Sequence, residues 1–289
     1  LWHKMYNQAN LRWVGRAGIV HLAIGAIDIA LWDIKAKLAE QPLWQHLGGS
    51  TCDELEAYNT DIGWLSNPIE SLVKQAQAAV NQNGFRRIKL KVGQKNPSAD
   101  VARIRAVRKA IGPGTSIAVD ANGKWDLATA IRFCKQAEEL DVFWLEEPLW
   151  YDDVESHTRL NQISSIPIAL GEQLYSIDAF NLFFQNNAMS FAQPDVTRLA
   201  GVSEYLRVAD VAYAKRMPVV AHVGDMGQVH VHLSFFHEMT TMLEYIPWIA
   251  HCFEEPIKVE NGLYAKPQMP GASTTLTSTA LERYGVSLR

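Results

Sequence analysis

The chain has 289 residues, of which 48% are hydrophobic and 20% charged, and its net charge is −4 at pH 7. Its composition is ordinary for a soluble protein, and a single (β/α)8 barrel needs about 250 residues. The small negative charge and the lack of a long basic run argue against nucleic acid and anionic membranes as partners. No apolar run reaches the roughly 18 residues of a membrane span. Three cysteines without metal-type spacing indicate a reducing compartment, so we expect a cytoplasmic protein.

Apolar residues recur at helical spacing over residues 18–40, which predicts a long helix there. After Gly48-Gly49, short apolar runs alternate with amphipathic segments. The predicted strands are 55–60, 87–92, 116–120, 142–146, 167–171, 189–193, 218–222 and 249–254. The predicted helices between them are 67–83, 99–111, 127–140, 154–164, 176–187, 201–216 and 228–243. Eight strands with intervening helices indicate an α/β fold, a modified (β/α)8 TIM-type barrel.

An open, doubly wound sheet is the alternative fold, but no Gly-x-Gly-x-x-Gly follows a predicted strand. We therefore divide the chain around a barrel. Residues 1–49 precede it, residues 50–260 form the (β/α)8-type catalytic barrel, and residues 261–289 form a loop-rich C-terminal tail. In a barrel, the carboxyl ends of the strands carry the chemistry.

Three acidic residues follow consecutive apolar runs at the ends of predicted strands. Asp120, Glu146 and Glu172 are separated by 26 residues each, about the length of one strand–helix unit. Consecutive parallel strands would present all three carboxylates at one edge of the barrel. Three hard oxygen ligands that converge on one point suit Mg²⁺. The spacing therefore predicts one magnesium ion per subunit.

Two lysines at the end of the second strand add a base to this edge. Strand alternation points Lys89 and Lys91 to the same side. Two lysines that share one face near a cation would each have a depressed pKa, which prepares one of them to take a proton. Asn122, two residues after Asp120, can hydrogen-bond a ligand or a substrate oxygen, or it serves as a turn residue before Gly123.

A third pair lies at the ends of strands six and seven. Asp195 and His222 are 27 residues apart, and an aspartate beside a histidine fixes the imidazole tautomer and raises its basicity. His222 is therefore a candidate general acid or base. The predicted eighth strand ends at Glu254-Glu255, and one of these two glutamates should face the site. His230 and His232 are predicted to point to different faces of a helix, with no role in the site.

These residues resemble, in order, the motifs of the enolase superfamily in its mandelate racemase branch. The early segment 23–48 is similar to that family's signature helix. The site motifs follow in Lys89-x-Lys91, Asp120-x-Asn122, Glu146-Glu147-Pro148, Gly171-Glu172 and the Asp195 and His222 pair. Each motif is weak by itself, but all of them in register are specific. The resemblance covers nearly the whole chain.

The resemblance implies roles for the site residues. Mg²⁺ would be held by Asp120, Glu146 and Glu172. Lys91 would be the base on one face of the substrate, and His222 the acid or base on the other. Lys89 would lie near the substrate carboxylate and the metal. A glutamate of the eighth strand, Glu254 or Glu255, would hydrogen-bond the enolate oxygen.

The resemblance also implies that residues 1–49 are the helical remnant of an N-terminal capping domain. The family's cap closes over the substrate and reads its far end, so the given chain is expected to be a fragment. The tail would return toward the cap. A homo-oligomer, such as a dimer or an octamer, is expected from the same resemblance.

The chemistry implied is removal of the proton α to the carboxylate of a small substrate, with the charge that develops stabilised by Mg²⁺ and Lys89. We expect dehydration of a sugar acid, an aldonate or aldarate, to a 2-keto-3-deoxy acid, and polar residues such as Asn59, Asp61 and Gln173 suit a polyol. Racemisation or epimerisation of a 2-hydroxy acid is the first alternative. Cycloisomerisation is weaker, and a non-catalytic metal-binding barrel belongs to a different class.

Overall fold

The computed structural model describes residues 1–224 and 226–285. Asp225, within the predicted barrel, and residues 286–289, at the end of the predicted tail, lie outside the described residues. The strands are β1 (Glu56–Asn59), β2 (Arg87–Lys91), β3 (Ser116–Asp120), β4 (Val142–Glu146), β5 (Ile168–Leu170), β6 (Phe191–Ala192), β7 (Met242–Tyr245), β8 (Val259–Glu260) and β9 (Leu263–Tyr264).

Helices lie before, between and after these strands. All of the predicted helices occur in the predicted order, whereas the short helices over 2–6, 9–14, 43–47 and 278–284 were not predicted. The helices are α1 (Trp2–Tyr6), α2 (Ala9–Val14), α3 (Ile19–Leu38), α4 (Leu43–Leu47), α5 (Ile69–Asn81), α6 (Pro97–Ile111), α7 (Leu127–Ala137), α8 (Val154–Ile163), α9 (Ile177–Gln185), α10 (Val202–Ala214), α11 (Gln228–Phe236) and α12 (Ser278–Tyr284). Several begin at a side chain that accepts a hydrogen bond from the first turn, as Asp126 does at α7 and Asp153 at α8. Within the described residues, no helix is long and apolar enough to cross a membrane.

The strands close into a barrel. From β1 to β6 each strand pairs in parallel with the next, and β7 pairs in parallel with β1. The gap between β6 and β7 is filled by the segment 218–220, which takes the place of the seventh strand. Val220 N donates to Ala192 O over 2.9 Å, and Val219 N donates to Met239 O over 3.2 Å. Eight strand positions therefore surround one axis, and the predicted (β/α)8-type barrel is confirmed.

The predicted eighth strand, 249–254, is wrong. The eighth position is β7, and residues 250–252 form a 3₁₀ turn. The predicted helix 228–243 correspondingly ends at Phe236. The run from Met242 to Phe253 is apolar over most of its length, so it offers two places for a strand. Pairing with β1, from Glu56 opposite Met242 to Asn59 opposite Tyr245, selects the first of them.

The inside of the barrel contains one apolar layer. It consists of one residue from each strand position except β2 and β6: Tyr58, Ala118, Trp144, Ala169, Val220 and Met242. Phe143 and Phe191 pack against this layer. A larger core lies between the strands and the surrounding helices. Because strand side chains alternate, the residues two positions further along each strand point to the same interior, nearer its carboxyl end.

The N-terminal helices pack on the barrel beside its sixth strand. Gly25 in α3 approaches the backbone of residues 197–201 so closely that a Cβ would lie 2.9 Å from Thr197 O. The carboxylate of Asp28 accepts hydrogen bonds from the Ser203 backbone N–H and hydroxyl, both over 2.8 Å. Trp2 Nε1 donates to Ala200 O over 2.9 Å. These contacts attach α1 and α3 to the connection that follows β6.

A buried histidine links α4, α11 and the C-terminal segment. His232 Nδ1 accepts a hydrogen bond from Trp44 N over 3.3 Å, and its Nε2 lies 2.9 Å from Ser273 Oγ. Ser273 Oγ in turn donates to Glu255. A neutral imidazole with its proton on Nε2 satisfies every contact. The division at residues 49 and 260 stays a prediction, although these bonds connect all three segments.

His232 predicts an acid-sensitive fold. Burial lowers its pKa from 6.5 to about 4. A protonated Nδ1 would also face the Trp44 N–H, which it now accepts from. Because the pKa of His232 is lower in the folded than in the unfolded state, the folded state is fully stable above pH 6.5. It loses stability as the pH falls toward 4, since the unfolded state then binds the proton first. We expect this group to remove up to about 3 kcal/mol from the free energy of unfolding across that window. Urea unfolding of the parent and of His232→Gln should show a steeper loss in the parent. Parallel curves would contradict the assignment.

Candidate active site

A polar layer lies directly above the apolar layer of the barrel, as strand alternation requires. Most residues of this polar layer lie two positions after a residue of the apolar layer on the same strand. The layer comprises Thr60, Lys89, Asp120, Glu146, Gln193, His222 and Glu244. All of these side chains are buried, and they come from seven of the eight strand positions. Glu172 follows the remaining strand, β5, after Gly171, whose backbone at φ +153° packs against Gln193. The strand ends therefore assemble one charged chamber.

The ammonium group of Lys89 is at the centre of this chamber. Its Nζ lies 2.6 Å from Glu146 Oε1, 2.7 Å from Glu244 Oε1 and 3.8 Å from Asp120 Oδ2. Only 1% of the side chain is exposed. An unpaired charge at such depth would cost several kcal/mol, so the three carboxylates and the lysine stabilise one another.

Lys91 lies on the same side of β2 as Lys89, as predicted, and is less deeply buried. Its Nζ pairs with Asp120 Oδ2. Asn122 stands at φ +46° and donates from its backbone N to Asp120 Oδ1 over 2.8 Å and from its side-chain amide to Oδ2 over 3.2 Å. Asn122 is thus both a turn residue and a partner of the carboxylate that it follows.

The carboxylates stabilise the protonated, positively charged form of both lysines. Burial lowers the pKa of Lys89, but Glu146 and Glu244 outweigh it and raise the pKa well above 10.5. Burial likewise lowers the pKa of Lys91, and Asp120 raises it above its ordinary value. The predicted depression of these pKa values supposes a nearby cation. The protein charges by themselves act in the opposite direction.

A second chain of contacts runs from Glu172 through His222 to Asp195. His222 Nε2 lies 2.8 Å from Glu172 Oε2, and His222 Nδ1 lies 2.8 Å from Asp195 Oδ2. Burial lowers the pKa of His222, yet the charge of Glu172 and the bond to Asp195 raise it well above 6.5. The predicted Asp195 and His222 pair therefore exists, with Nδ1 held by the aspartate and Nε2 directed toward Glu172.

Glu147 is a buried acid that lacks compensation. Its side chain is 4% exposed, and Oε1 has no hydrogen-bond partner. Burial raises its pKa to about 9, and the charges of Glu172, Asp120 and Glu146 add to the effect. Glu147 therefore keeps its proton at neutral pH, because its neighbours do not stabilise an ionised carboxylate there.

The carboxylate oxygens of Asp120, Glu146 and Glu172 are the type of ligand that a hard divalent cation prefers. The acids are oxygen donors that follow consecutive strands, and an uncompensated carboxyl lies beside them. The arrangement is not preassembled: among residues 1–224 and 226–285, no three Asp, Glu, His or Cys side chains already form a metal-binding group. Lys89, Lys91 and His222 instead pair with the three carboxylates. A cation would have to replace some of these pairs.

The structure corrects the position of the last-strand glutamate. Glu254 is exposed, and its backbone N donates to Thr275 O. Glu255 accepts hydrogen bonds from the backbone N–H groups of Gln268 and Met269 and from Ser273, so it organises the C-terminal segment. Neither faces the chamber. Because the eighth strand is β7, the glutamate of that strand end is Glu244.

Glu244 is the clearest residue that the sequence interpretation missed. It accepts hydrogen bonds from Thr60 Oγ1 over 2.7 Å and from Val223 N over 2.8 Å, in addition to its pair with Lys89. Its signal in the sequence is a single acid at an inward position of an apolar run that follows two β-branched threonines. Gln193, which donates to Glu146 over 2.8 Å, and His230, which lies against Asp195, were also missed.

Two family models match the chain. The model described as enolase C-terminal domain-like matches residues 71–280. The model of the mandelate racemase / muconate lactonizing enzyme N-terminal domain matches residues 1–48. Together they take in most of the helices and strands described above.

Characterised relatives and a solved structure agree with these models. The L-talarate/galactarate dehydratase of Salmonella typhimurium is 38% identical over 267 residues, 92% of this chain and 66% of its own length. A 3,6-anhydro-α-L-galactonate cycloisomerase of Streptomyces coelicolor is 34% identical over 99% of this chain and 78% of its own. The structure of L-talarate dehydratase from Polaromonas sp. JS666, complexed with Mg and L-glucarate, superposes with a TM-score of 0.90 at 36% identity, covering 97% of this chain and 77% of that one. The chain thus spans just under two thirds of the length of the Salmonella enzyme.

Two glutamate variants test the corrected strand assignment without reference to activity. Glu244→Gln removes one charge that pairs with buried Lys89 and should lower the free energy of unfolding by about 3 kcal/mol. Glu254→Gln, on the exposed residue, should change it by less than about 0.5 kcal/mol. Chemical denaturation at pH 7.5 measures both. Equal effects, or a larger effect at Glu254, would reject the placement of Glu244 in the chamber.

Proposed function

The chain belongs to the mandelate racemase / muconate lactonizing enzyme family of the enolase superfamily, and from this membership we propose that it dehydrates a sugar acid to a 2-keto-3-deoxy acid with Mg²⁺. The reaction begins with removal of the proton α to the carboxylate. The enzyme would be a hydro-lyase that acts on an aldonate or aldarate. Named dehydratases among its relatives support this choice of reaction.

One observation carries the proposal: two proton-transfer groups enter the chamber from opposite sides of the barrel. Lys91 is the last residue of β2, the second strand position, and His222 follows the segment 218–220 at the seventh. Counted the shorter way around the barrel, the two are three strand positions apart. Between them lie the carboxylates of Asp120, Glu146 and Glu172. A planar enediolate bound above those carboxylates has Lys91 at one face and His222 at the other.

Asp120, Glu146 and Glu172 would hold the metal ion. Bound there, Mg²⁺ supplies positive charge that stabilises an enediolate and weakens the hold of the lysines on their protons. Asn122 keeps Asp120 oriented through two hydrogen bonds. Gln193 and Trp144 donate to Glu146 Oε2 and fix the direction of that carboxylate. These donors limit how far the acids can turn.

Lys89, Asn122 and Glu244 would contact the substrate's carboxylate end. Lys89 is already held by Glu146 and Glu244, so its charge is fixed where a second negative charge develops on the substrate. Glu244 takes the place that the sequence interpretation gave to Glu254 or Glu255.

The dehydration needs one base and one acid. Neutral Lys91 accepts the α-proton and becomes an ammonium group, and the electron pair of the C–H bond moves into the enediolate. The C–O bond at the β-carbon then breaks, and the proton of His222 Nε2 goes to the departing hydroxyl to form water. Asp195 stabilises the imidazolium before this transfer and holds the Nδ1 proton. The enol that remains converts to the 2-keto-3-deoxy acid.

Racemisation or epimerisation of a 2-hydroxy acid is the second candidate, and the same two groups favour it. If His222 returns a proton to the α-carbon after Lys91 has removed one, the configuration inverts without loss of water. The cytoplasmic location and the homo-oligomer, predicted from cysteine usage and from the resemblance, stay predictions.

Proton NMR of sugar acids in D₂O with Mg²⁺ tests the reaction. Dehydration predicts loss of the α-proton signal together with new 3-deoxy methylene signals. Addition of EDTA should stop both changes, and excess Mg²⁺ should restore them. Exchange at the α-carbon without a methylene signal would instead identify a racemase or epimerase. No exchange with any aldonate, aldarate or 2-hydroxy acid would reject proton abstraction and favour a non-catalytic metal-binding barrel.

Single-base variants test the assignment of the two faces. For a pair of substrates that differ only in α-configuration, Lys91→Met should slow deuterium exchange of one member by about 10³-fold and spare the other. His222→Asn should show the reverse preference. Lys95→Met, on an exposed lysine outside the chamber, is the matched control and should affect neither. Equal loss for both substrates in both variants would reject the two-face arrangement.

A further inference from the structure

His230 is a buried imidazole for which the mechanism above has no use. It lies in α11, none of its surface is exposed, and it touches Asp195 on the side away from His222. Its Nε2 is 3.2 Å from Asp195 Oδ1 and 3.2 Å from Val196 N, while its Nδ1 is 3.0 Å from Met226 O. Both ring nitrogens are thus engaged by the loop that carries Asp195 and by its own helix.

The two oxygens of Asp195 have different partners. Oδ1 accepts from Thr197 N over 2.8 Å and from Thr197 Oγ1 over 2.7 Å, and His230 Nε2 approaches the same oxygen. Oδ2 is left to His222 Nδ1, with Arg198 Nε at 3.7 Å. This division fixes the rotation of the carboxylate about its Cβ–Cγ bond and therefore aims Oδ2 at His222.

Two placements of the His230 proton are compatible with its neighbours. A proton on Nε2 donates to Asp195 Oδ1, since an ionised carboxylate only accepts. Nε2 is then no acceptor for the Val196 N–H, and Met226 O is matched only if Nδ1 carries a proton as well. A proton on Nδ1 donates to Met226 O and leaves Nε2 to accept from Val196 N, which would set an imidazole lone pair against the carboxylate. The second placement is disfavoured because it would hold that lone pair 3.2 Å from an oxygen of the buried Asp195 carboxylate.

We propose that His230 is a positioning residue, which donates Nε2–H to Asp195 Oδ1 and so holds the Asp195 carboxylate in the rotamer that orients His222 for proton transfer. The proposal rests on the proposed function for its catalytic consequence. Its geometric content, the donated proton, does not depend on that function. His230 acts through Asp195 and contacts no substrate.

His232 provides a matched comparison. It lies two residues further along α11, is equally buried, and makes a similar pair of hydrogen bonds, but to Trp44 and Ser273 outside the chamber. A general effect of disturbing α11 would appear in both variants. An effect through Asp195 would appear only at His230.

The catalytic test uses the substrate pair of opposite α-configuration. His230→Leu should slow deuterium exchange on the His222 face on the order of 10-fold, the usual loss on removing a supporting hydrogen bond, and leave the Lys91 face unchanged. His230→Gln retains a side-chain N–H near the position of Nε2 and should recover most of that rate. His232→Gln at pH 7.5 should change neither face. Equal slowing of both faces by His230→Leu, or no rescue by glutamine, would overturn the proposal.

Nitrogen-15 NMR of the protein labelled at histidine tests the proton itself. The long-range ¹H–¹⁵N pattern of His230 should show a protonated Nε2, and the Nδ1 and Nε2 shifts of His222 should change in His230→Leu. A proton found only on Nδ1 of His230 would refute the donated hydrogen bond. This measurement needs no substrate. Hence, if no sugar acid exchanges, the proposed function fails while the role of His230 is still decided.

Discussion

The buried ammonium group of Lys89 is the interaction on which the site depends. It lies above the apolar layer of Tyr58 and Trp144 and is held by Glu146 and Glu244 from two other strands, with Asp120 at 3.8 Å. Charges at this depth are tolerated only in mutual pairs. The barrel therefore has to close with β2, β3, β4 and β7 in the observed registers, because a shift by one residue on any of them would turn a charged partner away. The same constraint that stabilises the polar layer determines the shape of the chamber.

The acids of the chamber can exchange their present partners, two lysines and a histidine, for a bound cation. In the described arrangement the lysines and His222 neutralise Asp120, Glu146 and Glu172, and Glu147 remains buried with an unpartnered oxygen. A cation bound to the three acids would free Lys91 and His222 for proton transfer. The residues that would remain in place during such a change are the ones held from outside the chamber, as Asn122 holds Asp120 and Thr197 holds Asp195.

The N-terminal helices contribute to the site although none of their side chains enters it. Helix α3 packs through Gly25 on the backbone of Thr197, and Asp28 binds the start of α10 at Ser203. The segment between these two contacts follows Asp195. Helix α11 supports Asp195 from the other side through His230. The acid that orients His222 is therefore clamped between two parts of the chain that are far apart in sequence.

The sequence by itself determined the barrel, the strand ends at Lys89, Lys91, Asp120, Glu146 and Glu172, and the Asp195 and His222 pair. These follow from local information, since alternation within a strand and the length of a strand–helix unit decide which side chain ends at which edge. The placement of Lys91 beside Asp120 and of His222 beside Asp195 agrees with that reasoning. Local information was sufficient wherever each apolar run offered only one place for a strand.

Only the tertiary structure showed that the glutamate of the eighth strand is Glu244, and neither Glu254 nor Glu255. The apolar run from Met242 to Phe253 offers two places for a strand, and pairing with β1, nearly 190 residues earlier in the chain, selects the first. The contact of His230 with Asp195 was equally hidden, because helical periodicity shows which face is buried but not what packs against it. Both depend on partners distant in sequence. Their positions follow from closure of the barrel, which no local pattern encodes.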